Sequence, residues 1–478
     1  MIFPPPAASF DALSARYGSR YKWLVLLVVG MGTVAGVLST SSFNVAVPTL
    51  TRHFGLGQDQ VQWAMTGFMA AMTVAMLPAP WLLDRIGFRR VFLGALTVLA
   101  VTSVAGSLSP NFPFVVAVRI VQGAAAGLLQ PMGVLVVMRL FPIPSQGKAS
   151  GVLSFSIVLA PAVAPALGGV LLDHFGWQAI FLINLPFCAL AGLSALYLLP
   201  LPREISRKRF DWIGVGLLTL ATLALIEGVV SLQQRGLLAP WTLGQLALAL
   251  AATALFVGHA DREKSPIISL GLFRHRAFAM GSLVSFAYGF GLYASTYLIP
   301  VFLQNALEFW ATGAGLALIP SGIALALTIP LAGKMADRHS PQWITAAGLA
   351  LFGLSFLLLA ILGGQIAYAQ LIGVTVLGRL GLGLILPALS LATLRHLEAH
   401  HLAQSSVVIS YVRQLGGVLG IAIAAVFVEW RETVYGRVAP GVFSAYSQAF
   451  VLLAAVFALA LVAACMMKTT ARQAGDGR

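Results

Sequence analysis

The chain has 478 residues, 59% of them hydrophobic and only 9% charged, with 48 Gly and 28 Phe. A soluble globular protein carries about 25% charged residues, so that class is excluded. The net charge of +14 would point to nucleic acid in a soluble chain, but the placement of the cations makes it a topology signal and excludes nucleic acid as a partner.

Residues 1–22 hold Pro4–Pro6 and lack the apolar core of a signal peptide. Phe10, Leu13 and Tyr17 share one helical face, which suits the membrane interface. Long apolar runs then predict fourteen spans: 23–48, 62–83, 91–108, 112–138, 149–172, 179–200, 212–232, 241–258, 277–303, 310–332, 343–363, 367–393, 403–428 and 443–467. The first ends in Leu38-Ser39-Thr40-Ser41-Ser42-Phe43-Asn44-Val45-Ala46-Val47-Pro48, with Ser39 and Asn44 as polar groups at membrane depth. The second leads into Pro80-Trp-Leu-Leu-Asp84-Arg85-Ile-Gly87-Phe-Arg89-Arg90, a knot of charge between apolar runs. One reading is that the arginines only anchor topology. The other is a cytoplasmic latch, because an acid closing a helix can pair with an arginine or accept from a helix N-terminus.

Arg119-Ile-Val-Gln122-Gly123 lies in the fourth span. An arginine at that depth costs ~2.5–3.5 kcal/mol on insertion scales and counts as functional by default. Ser39, Asn44 and Gln122 are candidate partners, and no carboxylate stands nearby in sequence. Arg119 either attracts an anionic or zwitterionic substrate group or organises a hydrogen-bond network; snorkelling to the interface is the structural alternative. In the fifth span Pro161 and Pro165 stand one turn apart and are followed by Gly168-Gly169, a pattern suited to a hinge or gate.

The insert at 212–258 opens with Asp211-Trp212-Ile-Gly214 and contains Glu227, the only carboxylate well inside a predicted span. Glu227 is a candidate proton site, but its place near the outer end of its helix favours an interfacial role. Trp63, Tyr288, Tyr293, Tyr297, Gln304 and Asn305 are candidates to line the path or to sit in the interfacial belt. Arg379 lies in the span at 367–393. Arg413-Gln414-Leu-Gly416-Gly417-Val-Leu-Gly420 lies in the span at 403–428; its glycines read as packing, and Arg413 faces either a cavity or the cytoplasmic side.

The chain repeats itself. Asp84-Arg85 recurs as Asp337-Arg338, and Arg119 with Gly123 recurs as Arg379 with Gly383, in the same order and more than 250 residues on. Six spans need only ~200 residues, and the surplus matches the insert. The expected organisation is a segment at 1–22, a six-helix bundle at 23–200, linkers and two-helix insert at 201–276, a second bundle at 277–467 and a tail at 468–478. With both termini cytoplasmic, 22 of the 29 lysines and arginines fall inside, and outer loops hold only Arg52, Arg235, Arg431 and Arg437. Parallel repeats of this kind are a transporter signature, with the substrate cavity between the halves.

Cys188 and Cys465 lack CxxC spacing, and His396, His400 and His401 with Glu398 read as a solvated loop, so no metal or cofactor is expected. Neither a nucleophile–base constellation nor a Walker-type phosphate loop is present, which argues against an enzyme and against an ATP-driven pump.

These motifs resemble the major facilitator superfamily. The 80–90 turn is similar to its loop 2–3 motif with Pro80 in place of the usual Gly, 119–123 to its helix 4 motif, and Ala164-Pro165-Ala-Leu-Gly168-Gly169 to its helix 5 antiporter motif. Trp177-Gln-Ala-Ile-Phe181-Leu-Ile-Asn184-Leu-Pro186, Asp211–Gly214 and Arg413–Gly417 narrow the resemblance to the fourteen-helix drug:proton antiporter branch, over roughly 20–467. The resemblance implies an all-α membrane protein of the inner membrane that exports amphipathic small molecules by alternating access with proton exchange, in membrane lipid and with room for a periplasmic adaptor protein. Two positions depart from the branch: Ser39 stands where an acid is usual in helix 1, and Phe68 where a Tyr is common in helix 2. A serine carries no proton, so a facilitator or uptake system without proton coupling stays open, as does a non-transporting sensor. The excess of Arg over acid points to an anionic, zwitterionic or lipid-like substrate.

Overall fold

Prolines and short polar runs break the apolar stretches into helices. The computed structural model describes residues 10–56, 58–200, 209–309, 311–362, 366–395, 397–398, 401–436 and 439–467. Along the chain run α1 (Phe10–Tyr17), α2 (Tyr21–Ser41), α3 (Phe43–Phe54), α4 (Gln58–Ala75), α5 (Ala79–Ile86), α6 (Phe88–Ser107), α7 (Phe112–Leu140), α8 (Ile143–Phe175), α9 (Gln178–Leu182) and α10 (Leu185–Leu198). They are followed by α11 (Trp212–Arg235), α12 (Pro240–Arg262), α13 (Arg276–Asn305), α14 (Ala311–Arg338), α15 (Pro341–Leu362), α16 (Tyr368–Leu394), α17 (Leu402–Tyr435) and α18 (Ala439–Cys465). Among the described residues there is no strand.

Twelve of these described segments are long and apolar enough to cross a membrane, and the pair Trp63–Ala75 and Ala79–Ile86, bent by 55°, raises the number to as many as thirteen. Fourteen spans were expected. The predicted second span, 62–83, bends where Pro78 and Pro80 interrupt the helical hydrogen bonds. The predicted fifth span, 149–172, lies inside α8, which runs unbroken through positions 161 and 165. The side chains of Asn44, Pro161, Pro165 and Gly169 lie outside the described residues, as do residues 396 and 400 of the histidine loop.

The chain divides into two compact units. One comprises Met1–Pro142, Val152–Ser269 and Glu398–Tyr411; the other comprises Ile143–Gly151, Leu270–Leu397 and Val412–Arg478. In the first unit α7 lies directly against α4. A Cβ on Gly123 or Gly127 would collide with the backbone carbonyls of Phe68 or Met72, so only glycine permits this approach. In the second unit Gly416 and Gly420 of α17 pack in the same way on the carbonyls of Phe286 and Phe290 of α13. The glycine run in the span at 403–428 is therefore a packing seam. An aromatic core of Phe302, Phe352, Phe356, Phe450 and Phe457 lies in the second unit, with the Phe352 and Phe457 centroids 4.7 Å apart.

Candidate functional site

Arg119 sits on the buried face of α7, with 2% of its surface exposed. Its Nη1 donates to the Ser39 carbonyl at 2.8 Å and to Gln122 Oε1 at 3.2 Å, and its Nε donates to the Ala64 carbonyl at 3.4 Å. The guanidinium also lies between two aromatic faces, 4.3 Å from the Phe43 centroid and 4.1 Å from that of Phe68, an arrangement that favours a desolvated cation. The Ser39 carbonyl is available because it is one of the last four of α2, which lack partners within the helix.

The network then closes on itself. Gln122 Nε2 donates to Ser103 Oγ at 3.0 Å, the single Ser103 hydroxyl proton is shared between the Leu99 carbonyl at 2.7 Å and Asn184 Oδ1 at 2.9 Å, and Asn184 Nδ2 donates to Ser39 Oγ. Ser39, Ser103, Arg119, Gln122 and Asn184 are all buried. Asn184 is placed by the break between α9 and α10, two residues before Pro186. Sequence reasoning brought Arg119, Gln122 and Ser39 together but missed Ser103 and Asn184. The Asn-x-Pro inside an apolar run was a usable signal for Asn184; Ser103 offered none. Amides, hydroxyls and backbone carbonyls do not titrate near neutrality, so this ring organises a cation without carrying a proton.

The charged turns diverge. Asp337, at the end of α14, accepts from the backbone N–H of Gly147 at 2.6 Å and of Lys148 at 2.8 Å, the fifth and sixth residues of α8. Gly147 and Gly333 touch backbone to backbone, and a side chain on either would push Asp337 away. Arg395 adds a longer ion pair to Asp337 at 4.0 Å and donates to the Ile143 carbonyl at 3.4 Å. Burial pulls Arg395 below the ordinary arginine range, and Asp337 works against that. Arg338 is exposed.

In the other turn Gly87 joins α5 to α6 at φ 88°, a left-handed conformation costly for any other residue. Arg85 is exposed, whereas Arg89 is buried and donates to the carbonyls of Leu196 at 2.8 Å and Leu199 at 3.3 Å, closing the C-terminus of α10. Asp84 makes no hydrogen bond or ion pair among the described residues.

Asp211 caps α11 by accepting from Gly214 N–H at 2.8 Å. It also meets His259 Nε2 at 2.7 Å and accepts from Ile267 N–H at 3.1 Å. Burial pushes its carboxyl up, but the bonds from Gly214, His259 and Ile267 outweigh this and hold it below the usual carboxylate range. Asp211–Gly214 is thus a structural cap, and a Cβ on Gly214 would force the Asp211 carboxylate to shift.

Glu227 is half-buried and accepts from Trp241 Nε1 of α12 at 3.4 Å. Arg379 and Arg413 are half-buried, and the buried Tyr288 lies in the field of both. Tyr293 packs its ring on Gly417, Asn305 donates to Tyr446 Oη, and Trp63 and Tyr297 are exposed. Gly168 of α8 rests against Ser42.

The family described as Major Facilitator Superfamily matches residues 29–420 and 281–477. The chain belongs to the major facilitator superfamily. Among its relatives in Mycobacterium tuberculosis, Multidrug resistance protein B homolog is 32% identical over 438 residues, covering 89% of this chain and 80% of that one. Multidrug resistance protein Stp is 28% identical over 414 residues, covering 86% and 77%. These names agree with the exporter branch that the motifs resemble. The human organic anion transporter MFSD10 (TETRAN) is similar in fold alone, with a TM-score of 0.66 at 16% identity over 93% of this chain and 99% of that one.

Proposed function

We propose that this superfamily member is a secondary active transporter that exports amphipathic small molecules, drug-like or lipid-like, from the cytoplasm by alternating access. The reading takes the chain as two six-helix bundles, 23–200 and 277–467, with a two-helix insert at 212–258, in the inner membrane with both termini cytoplasmic. The observation that carries it is the buried ring around Arg119 in a member of a transporter family. A buried arginine held by polar partners inside an apolar bundle is costly to place there, and such residues mark transport pathways. The ring supports the network role of Arg119 over direct attraction of substrate, because its neighbours already occupy the guanidinium.

Arg379, Arg413 and Tyr293 are the corresponding pathway residues of the second half. Asp337, with Arg338 beside it, carries the cytoplasmic gate, while Asp84, Arg85, Gly87 and Arg89 of the other turn anchor topology and close α10; Pro161, Pro165, Gly168 and Gly169 form the hinge. A periplasmic adaptor is a compatible partner. The expected energy source is proton exchange, with Glu227 as the alternative proton carrier to the missing helix 1 acid. A proton-independent facilitator is the second reading. It is favoured by Ser39 and by the absence of any carboxylate among the described partners of Arg119.

Proton flux in liposomes holding the purified protein, a pH-sensitive dye and a panel of amphipathic compounds separates the two. Proton movement that depends on substrate establishes exchange, and its loss in Glu227→Gln assigns coupling to that residue. Substrate movement without protons, with coupling gained in Ser39→Asp, establishes the facilitator. Movement of no compound under either gradient rejects transport.

A further inference from the structure

The insert does more than add two spans, because it grips α17 at two points. Thr222 of α11 donates its hydroxyl to the Leu218 carbonyl at 2.7 Å. A hydroxyl has one proton, so in the 2.7 Å contact between Thr222 Oγ1 and Tyr411 Oη the tyrosine is the donor. Both side chains are buried. Seven residues earlier on α17, and so on the same face two turns away, Gln404 Nε2 donates to the carbonyls of Pro266 at 3.0 Å and Ile267 at 2.8 Å. That segment is itself fastened, since Ile267 N–H donates to Asp211, which caps α11 and binds His259 of α12. The closed path from Gln404 through Ile267, Asp211, α11 and Thr222 back to Tyr411 is a truss whose fourth side is α17.

The first turns of α17, through Tyr411, belong to the first unit, and Val412 onward belongs to the second. Arg413 and Gln414 follow two and three residues after Tyr411. Resting on the transporter reading above, we propose that the insert is a releasable clamp on α17, with Thr222–Tyr411 and Gln404–Pro266/Ile267 as its fixings. A helix shared by two units that move against each other in alternating access cannot stay fastened to both. The fixings therefore close in one state and open in the other, and Tyr411 and Gln404 are positioning residues for the segment that carries Arg413.

The test locks the clamp. In a cysteine-free background (Cys188→Ser, Cys465→Ser), Pro266→Cys and Gln404→Cys are joined by a short reducible bifunctional methanethiosulfonate in the full chain in liposomes. The expected result is loss of substrate efflux by at least about tenfold on cross-linking, because covalently joined fixings remove the open state from the ensemble. Efflux returns when dithiothreitol cuts the bridge. Cross-linked protein that transports at the rate of the uncross-linked variant overturns the clamp, because a permanent anchor would behave that way. Tyr411→Phe provides a second measure that keeps the fold: turnover changes by about threefold while substrate affinity holds, and an unchanged turnover also counts against the clamp. If the uncross-linked cysteine-free protein moves no compound from the panel, the transporter reading fails instead, and the two failures are distinguishable.

Discussion

Two turns that share an Asp-Arg pair do different work in this protein. Asp337 receives two backbone N–H groups near the start of α8, while Asp84 has no partner among the described residues and its neighbour Arg89 closes the end of α10. The Asp-Arg pair is common to both turns, so the pair does not decide the outcome. What decides it is whether another backbone comes close enough. Gly147 and Gly333 allow that contact beside Asp337, and among the described residues no backbone N–H donates to Asp84. A motif repeated in sequence thus supplies a charged group twice, and packing assigns it a partner once.

The sharpest way to break this comparison is to remove each acid. Asp337→Ala deletes a charge-assisted pair of bonds, a loss of about 1–3 kcal/mol for the state that contains them. Initial efflux rates in liposomes are expected to change by about tenfold or more, against less than about twofold for Asp84→Ala. Equal effects from the two substitutions would show that both turns act alike.

Asp211 sharpens the comparison as a third acid with backbone donors, but one that acts on stability. Its carboxyl is held below the usual range in the folded chain. Its contribution is therefore complete above the unfolded value of about 4 and is lost as pH falls through the lower folded value. Asp211→Asn is expected to lower the thermal unfolding midpoint near neutral pH, and the gap from wild type should narrow as pH is lowered from about 6 to about 3. A gap that stays constant would place the loss in geometry and not in charge.

The smallest effect belongs to Arg89. Arg89→Ala uncaps α10 and is expected to cost about 1–2 kcal/mol in stability, read by thermal unfolding in detergent, with efflux per folded molecule nearly unchanged. A selective loss of efflux would return Arg89 to the gate.

Much of the fold was legible because bilayer spanning leaves a coarse signal: a run of apolar residues of the required length is visible without knowing what it touches. The breaks were less legible. Pro78 and Pro80 bend the predicted 62–83 span, while Pro161 and Pro165 leave the α8 helix continuous, so a proline by itself announced neither result. Within the site, Arg119 and Gln122 were readable because they are three residues apart on one helix and polar in an apolar run. Their partners were not. Asn184 meets Ser39 across 145 residues of chain and Ser103 lies on a third helix. The destination of Arg89, 107 residues away on the carbonyls of α10, left no local trace either.

The sequence by itself determined that this is a multi-pass membrane protein, roughly where its apolar helices run, and which polar groups interrupt them. Those properties depend on composition and spacing along the chain. Only the tertiary structure decided what each polar group is paired with. A hydrogen bond depends on distances of about 3 Å between groups that the chain separates by tens to hundreds of residues, and those distances are set by which glycines let helices touch and where helices break.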